Sequence, residues 1–429
     1  MSRLRVLVVC HNHPSFHPGG TEIFAHELFQ ELRQDPGIEP LFLACTNQLH
    51  RDQKPGTSFQ TVGRSADELV LWAGHFDRFF MSQIDLHGVV PDLSNLLLSF
   101  RPDVVHFHHT LLLGAEILYL VRRLLPESRI VFTLHDYYPI CPNDGLMVRT
   151  GSNELCHGAT LDGCRRCFPD VAPDRFVLRE RHLKALFQAV DAFVAPSHFL
   201  RDRFIRWGLP AEAIHVIPNG RPEVEPTPHR RLAHNDRRDS FAYFGNISPF
   251  KGASVAVAAA QRLIDAGDLE FSLQIHGGTP FQTDAFRSGF AAAAEAAAPQ
   301  VSQHGPYSRE EFPTLIGPAD WVIMPSIWWE NAPLVIQEAF QHRRPVICSG
   351  IGGMAEMVRD GIDGLHFRPG DANDLARVMW RAMTEPSLWQ YLVDGIPEVP
   401  TLTLTAQRYL ALFDRLLADE EPSALAVPA

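Results

Sequence analysis

A chain of 429 residues, 45% of them apolar, is long enough for two or three domains and for two sizeable hydrophobic cores. Its 38 basic against 50 acidic side chains leave a net charge of −12, which argues against nucleic acid as the main ligand. No apolar run approaches the roughly 18 residues of a membrane span, no signal-peptide core follows Met1, and seven cysteines are an odd count, so a reducing, cytoplasmic setting is expected.

The first apolar stretch, Leu4 to Cys10, reads as a buried strand. A loop with His11, His13 and His17 leads to Gly19-Gly20-Thr21-Glu22, and a helix is expected from about Glu22, with Phe24, Ala25, Leu28, Phe29 and Leu32 at helical spacing. Strand, glycine loop and helix open a nucleotide-type βαβ unit, although the loop is not GxGxxG. Gly19 and Gly20 suit either a close approach of a ligand to the backbone or a tight turn. Leu41 to Ala44 reads as a second strand, and residues 47–95 as loops and helices on the rim. Val104-Val105-His106-Phe107-His108-His109 and Ile130 to His135-Asp136 are strands that both run into histidine, at the end of a parallel sheet where ligands bind.

Cys141, Cys156, Cys164 and Cys167 follow, the last two as a CxxC, in a stretch rich in Gly, Asn and Asp. A loop of that length with little apolar content needs something to hold it. Four thiolates on a structural zinc ion would do so; reduced thiols without metal are the alternative, because the spacing lacks the symmetry of paired CxxC motifs. A helix from Phe176 to Val190 and strands at Ala192 to Ala195 and His215 to Ile217 complete the first half.

Residues 221–240 are rich in proline and charge and read as a linker. A second strand–helix series follows, with strands expected at 241–244, 273–276, 301–304, 321–324, 345–348 and 364–367, and helices at 253–266 and 285–298. Both halves thus read as α/β: two Rossmann-like, doubly wound parallel-sheet domains facing a cleft, spanning 1–220 and 241–400. The cysteine-bearing segment, about 137–170, is an insertion in the first domain; a helix at 401–418 and a disordered tail at 419–429 end the chain.

The most informative stretch is Trp328-Trp329-Glu330-Asn331-Ala332-Pro333-Leu334, continuing to Glu338. It follows the strand Trp321 to Met324, and Pro333 suits the first turn of a helix. The free N–H groups and dipole of a helix N-terminus attract an anion. Two carboxylates beside such a site suit a ligand that also carries hydroxyls, as a ribose and a sugar joined by a diphosphate do. The plainer alternative is a capped amphipathic helix with two solvated glutamates. Lys251, just past the strand at 241–244 and followed by Gly252, can reach a phosphate as a point charge.

Taken in order, these motifs resemble the retaining glycosyltransferases of family 4, the glycogen-synthase and mannosyltransferase-like group with the GT-B fold. The resemblance rests on Gly19-Gly20-Thr21-Glu22, the His106-Phe107-His108 strand, Ala195-Pro196-Ser197, Val216 to Gly220, Gly245 to Gly252, the E-x7-E pair Glu330 and Glu338, Pro345-Val346-Ile347 with Gly352-Gly353, and Gly370-Asp371. It covers nearly the whole chain and is strongest from 192 to 380.

The resemblance implies roles residue by residue. Lys251 and Gly245 would meet the donor diphosphate, with Gly19 and Gly20 approaching it from the first domain. Glu338 would hold the ribose hydroxyls. His304 and Tyr307 would line the base pocket. Glu330, with amides from Asn331, Ala332, Pro333 and Leu334, would hold the donor sugar, and His108 would sit near the reacting centre. A UDP- or GDP-sugar donor, a glycan or lipid-linked acceptor and peripheral membrane contact would follow, with no cofactor needed for the chemistry. One departure stands out: Asn246 occupies the position where the family usually has arginine, which removes a charge beside the leaving diphosphate. Three alternatives stay open: a sugar-nucleotide epimerase or phosphorylase on the same fold, a non-catalytic nucleotide-sugar or glycan-binding protein, and a nicotinamide-dependent enzyme.

Overall fold

The computed structural model describes residues 3–85, 87–232, 237–267 and 270–418; the expected tail, 419–429, lies outside them. The chain forms two compact units: unit 1 is Met1–Gly220 with Pro400–Ala429, and unit 2 is Arg221–Val399.

Unit 1 contains β1 (Leu4–Cys10), β2 (Ile38–Thr46), β3 (Phe59–Thr61), β4 (Glu68–Trp72), the short pair β5 (Phe76–Asp77) and β6 (Ser82–Gln83), β7 (Val104–Phe107), β8 (Arg129–Thr133), β9 (Ala192–Ala195) and β10 (Ile214–Val216). Its main sheet has the order β10-β9-β8-β7-β1-β2-β4-β3, parallel except for β3 against β4. Central strands such as β7 and β8 are buried along their whole length, which is why they read as unbroken apolar runs. The order reverses at β1 and β7, and their carboxyl ends carry His11 and His108.

The edge strand β3 and its neighbour β4 lie in the stretch expected to hold loops and helices. They are short, and pairing rather than local periodicity defines them. The helix expected at 176–190 runs Pro173–Phe187, starting where proline takes the first helical position.

Helix Gly20–Leu32 buries Phe24, Ala25, Leu28, Phe29 and Leu32 in one core with the last helix, Leu402–Ala418. Tyr409 and Phe413 of that helix are wholly enclosed, and each such aromatic contributes about 1.5–3 kcal/mol of burial.

Unit 2 contains β11 (Ser240–Phe244), β12 (Ser272–His276), β13 (Val301–Gly305), β14 (Trp321–Met324), β15 (Val346–Ser349) and β16 (Gly364–Phe367), in the all-parallel order β13-β12-β11-β14-β15-β16. Here the order reverses at β11 and β14, so the loops after Phe244 and Met324 open side by side.

The stretch read as a linker from Arg221 belongs to unit 2 and is tied down along it. The Arg344 guanidinium donates to the carbonyls of Thr227 and Pro228, and Gln341 donates to Pro222 O. Arg230 and Arg238 both pair with Asp320, whose carboxylate is buried. A buried carboxylate requires such partners, and the charged composition that suggested a linker supplies them. Residues 233–236 lie outside the described set.

Candidate active site

The unit 2 site is built from the two loops at the switch point. The Ile327 N–H donates to Phe250 O at 2.8 Å. Gly252 has φ +74, and a Cβ there would stand 1.8 Å from Pro325 O, so glycine lets the loops touch. That contact delivers Lys251 to Glu330. The carboxylate oxygen Oε1 of Glu330 accepts from Lys251 Nζ at 2.8 Å, Ser326 Oγ at 2.9 Å and Trp328 Nε1 at 2.7 Å. Glu330 is buried and its backbone carbonyl accepts from the Gly353 N–H at 2.7 Å. A Cβ on Gly353 would stand 1.7 Å from Asn331 O, so the Glu330-Asn331 turn rests directly on helix Gly352–Met357.

Helix Leu334–Gln341 starts one residue after Pro333, which takes the N-cap position rather than the first turn. Asn331 and Ala332 lead into it, and Glu338 lies on it. Arg221 Nη2 donates to Glu338 Oε1 at 2.5 Å, from a guanidinium that is only 2% exposed. Arg221 was missed as a site residue because its surroundings read as linker.

Tyr307 is drawn close to Glu338: burial first, then the Glu338 charge, pushes the Tyr307 phenol upward. Tyr307 packs edge-on against Phe244 and His276, and His276 stacks on His304 at 4.7 Å between ring centroids. Burial, helped by His304, lowers the His276 pKa to about 4, so it is a neutral ring at pH 7. His304 and Tyr307 thus stand on one aromatic platform with Phe244 and His276. His276 ends β12, and its position at a strand's carboxyl end was the available signal for it. Gly245 (φ +133) and exposed Asn246 follow β11, and the Asn246 carbonyl accepts from the Tyr243 hydroxyl at 2.8 Å.

In unit 1, Gly19 caps helix Gly20–Leu32, and a Cβ on it would collide with the Glu22 carboxylate folded back over the turn. Glu22 pairs with His11 Nε2 at 3.0 Å. Burial alone would raise the Glu22 pKa, but the charge and hydrogen bond of His11 pull it down to about 2. Burial would likewise depress His11, yet Glu22 and the bonds to Cys10 and Glu22 lift it well above its ordinary value. The two form a charged pair at the mouth of the glycine turn.

His11 also packs on His109 at 4.7 Å between ring centroids. The Leu111 N–H donates to His109 Nδ1, so Nε2 carries the proton and donates to Asp136 at 3.1 Å.

His108, expected beside a reacting sugar, is fully enclosed. Its Nδ1 lies 2.9 Å from His135 Nε2, its ring packs edge-on to Phe24, and its buried Nε2 has no hydrogen-bond partner among the described residues. Burial, with His106 and His135, holds its pKa well below the ordinary value, so it is neutral.

The four clustered cysteines of the insertion line a single cavity. No helix among the described residues is long and apolar enough to cross a membrane.

Comparison with known proteins agrees with this fold. Residues 18–222 match the domain described as Glycosyltransferase Family 4, and residues 238–385 the domain described as Glycosyl transferases group 1. The alpha-D-kanosaminyltransferase of Streptomyces kanamyceticus is 26% identical over 45% of this chain and 50% of its own length. The alpha-maltose-1-phosphate synthase of Mycolicibacterium smegmatis is 30% identical over 44% of this chain and 50% of its own. The chain spans about half the length of the curated relatives it matches. Among solved structures, Anabaena HepE in complex with UDP superposes with a TM-score of 0.69 at 16% identity, over 96% of this chain and 100% of that one. Sucrose-phosphate synthase from Thermosynechococcus elongatus gives 0.69 at 18% identity over 97% and 100%. With a matched domain in each half, two parallel-sheet units and GT-B structural neighbours, the chain belongs to the family 4 glycosyltransferases of GT-B fold.

Proposed function

We propose that this protein moves a hexosyl group from a nucleoside-diphosphate sugar to a hydroxyl of a glycan or lipid-linked acceptor, with retention of anomeric configuration. The observation that carries the reading is the Lys251–Glu330 pair, a cation and a buried carboxylate delivered together at the switch point of unit 2. On donor binding Lys251 turns to the diphosphate, and Glu330 is left to accept sugar hydroxyls and stabilise positive character on the ring. Glu338, oriented by Arg221, takes the ribose hydroxyls, and the base lies on the platform of His276, His304 and Tyr307. A retained configuration places the attacking hydroxyl on the face the diphosphate leaves, where a phosphate oxygen accepts its proton.

Uridine is the first donor base to test, supported by the UDP complex of HepE. Lys251 is the only cation within the loop 245–252, so Asn246 leaves the departing diphosphate with one positive side chain there rather than two. The test is a donor screen by calorimetry with UDP-, GDP-, ADP- and TDP-sugars and their free diphosphates, followed by product analysis with glycan and lipid-linked acceptors. Binding of one nucleotide series that is lost in Lys251→Ala and Glu338→Ala, with an α-linked product from an α-linked donor, is the expected result. Binding without turnover on any acceptor would favour a nucleotide-sugar-binding protein, the second reading, which Asn246 motivates.

A further inference from the structure

Cys141, Cys156, Cys164 and Cys167 come from three places in the insertion and converge on one cavity of about 20 Å³. Cys164 and Cys167 stand one turn apart on helix Leu161–Cys167, so their side chains share a face. Cys156 is set by a small hairpin: Val148 bridges Leu155 in antiparallel fashion, the Arg149 N–H donates to Glu154 O, and the Cys156 N–H donates to Met147 O at 2.7 Å. That register brings Cys156 back towards the turn at Cys141. The rest of the lining is largely apolar, with Ile140, Met147, Val148, Ala159 and Phe168. The other three cysteines, Cys10, Cys45 and Cys348, are buried singly within strands.

We propose that these four cysteines bind one structural zinc ion. Four sulfur ligands with no open position describe a structural rather than a catalytic zinc. Metal binding would have to draw the sulfurs inward: among the described residues the group of three side chains whose ligand atoms already lie within 4.8 Å of one another is His13, His26 and Glu68, and the four cysteines do not form one. Hydrogen bonding accounts for that group without an ion. The Ser15 N–H donates to His13 Nδ1, so the proton sits on Nε2 and is donated to Glu68, as is that of His26 Nε2. A metal would have to displace those protons.

The ion explains how the insertion keeps its shape with one seven-residue helix and one hairpin bridge. It also reaches the site. The segment begins at Asp136, which accepts from the Tyr138 N–H with one oxygen and from His109 with the other. Buried Arg179 holds the next turn through the carbonyls of Tyr138, Pro139 and Phe79. A zinc at Cys141 pins the far end of that turn.

The test is metal analysis of the full chain, purified anaerobically without added metal or chelator. The expected result is about one zinc per chain, released in step with mercurial titration of four thiols. Cobalt substitution should give sulfur-to-metal absorption with the intensity of four thiolates, and X-ray absorption sulfur at about 2.3 Å from the metal. Zinc should be lost from the Cys164→Ser/Cys167→Ser double variant. Less than about a tenth of an equivalent of zinc in folded protein with its thiols reduced would overturn the proposal. So would iron in its place, or zinc that persists in the double variant. None of these readouts depends on transferase activity.

Discussion

Lys251 Nζ stands 2.8 Å from Glu330 Oε1, on the oxygen that also accepts from Ser326 and Trp328. The lysine side chain is 33% exposed and that of Glu330 8%. When the ammonium turns to a phosphate, Ser326 and Trp328 still donate to the buried carboxylate. Lys251→Ala is expected to raise the donor Kd at least about tenfold, or about 1.4 kcal/mol. Glu330→Gln should lower kcat by about 10²-fold with donor Kd changed by less than about threefold, as the proposed role in the transition state requires. Calorimetry and steady-state kinetics on the same preparations separate the two; unchanged kcat in Glu330→Gln would remove that residue from the reaction.

If Glu338 holds the donor ribose as proposed, Arg221 bears on donor binding through their ion pair. Arg221→Met leaves Glu338 without its partner in a largely enclosed position. The expected cost is about 2–3 kcal/mol of unit 2 stability, at or below the low end for a broken buried pair because Glu338 is partly solvated. Arg221→Lys keeps the charge and should recover part of it. Urea unfolding measures the cost. UDP affinity measured alongside should fall in both variants if Arg221 orients the ribose-binding carboxylate.

Gly353→Ala tests the loop geometry without touching a charged group. Its Cβ would overlap the Asn331 carbonyl, which must move, and Glu330 moves with it. Overpacking of this kind costs about 1–3 kcal/mol. A thermal shift together with a fall in kcat is expected; a variant of normal stability and normal kcat would show that the Glu330-Asn331 turn tolerates displacement.

The histidines of unit 1 predict acid lability. His106 and His135 have pKa values lowered to about 3, mainly by burial, and His108 is lowered well below 6.5 for the same reason. The unfolded chain takes up these protons below about pH 6.5 and the folded chain only near pH 3. Their contribution is therefore intact above pH 6.5 and lost as pH falls from there towards 3. Glu22 and Asp136, both lowered to about 2, add to the loss below their unfolded values of 4.5 and 3.8. His11 acts oppositely: its raised pKa gives stability that is complete below 6.5 and lost as pH rises through its folded value. Scanning calorimetry should show Tm falling by at least about 5 °C between pH 6.5 and 4.5. The fall should be shallower in His135→Asn.

Much of the unit 2 site was legible because its parts lie close to strand ends. Lys251 follows β11 by seven residues, and Glu330 and Glu338 follow β14 within one loop and one helix. Local apolar runs mark those strands, so the residues beyond them could be placed. Arg221 was not legible: its meaning depends on Glu338, more than a hundred residues away, and its neighbours are prolines and charges. The His11–Glu22 pair was hidden in the same way, since it needs the carboxylate to fold back over Gly19. The enclosure of His108 depends on Phe24 and His135, each from a different element. β3 was lost because a three-residue strand has no period to read, and β4 because its five residues, buried at four positions, do not alternate.

The last helix, Leu402–Ala418, completes the core of unit 1, and its Tyr409 hydroxyl lies 3.0 Å from Thr133 Oγ1, itself bonded to His106. Between Gly220 and Pro400 the chain builds all of unit 2. On the ribosome the first sheet therefore emerges with one flank of its core uncovered and waits for some 180 further residues before Tyr409 and Phe413 close it. Unit 2, contiguous in sequence, meets no such delay. The half of the molecule made first is the half whose core is completed last.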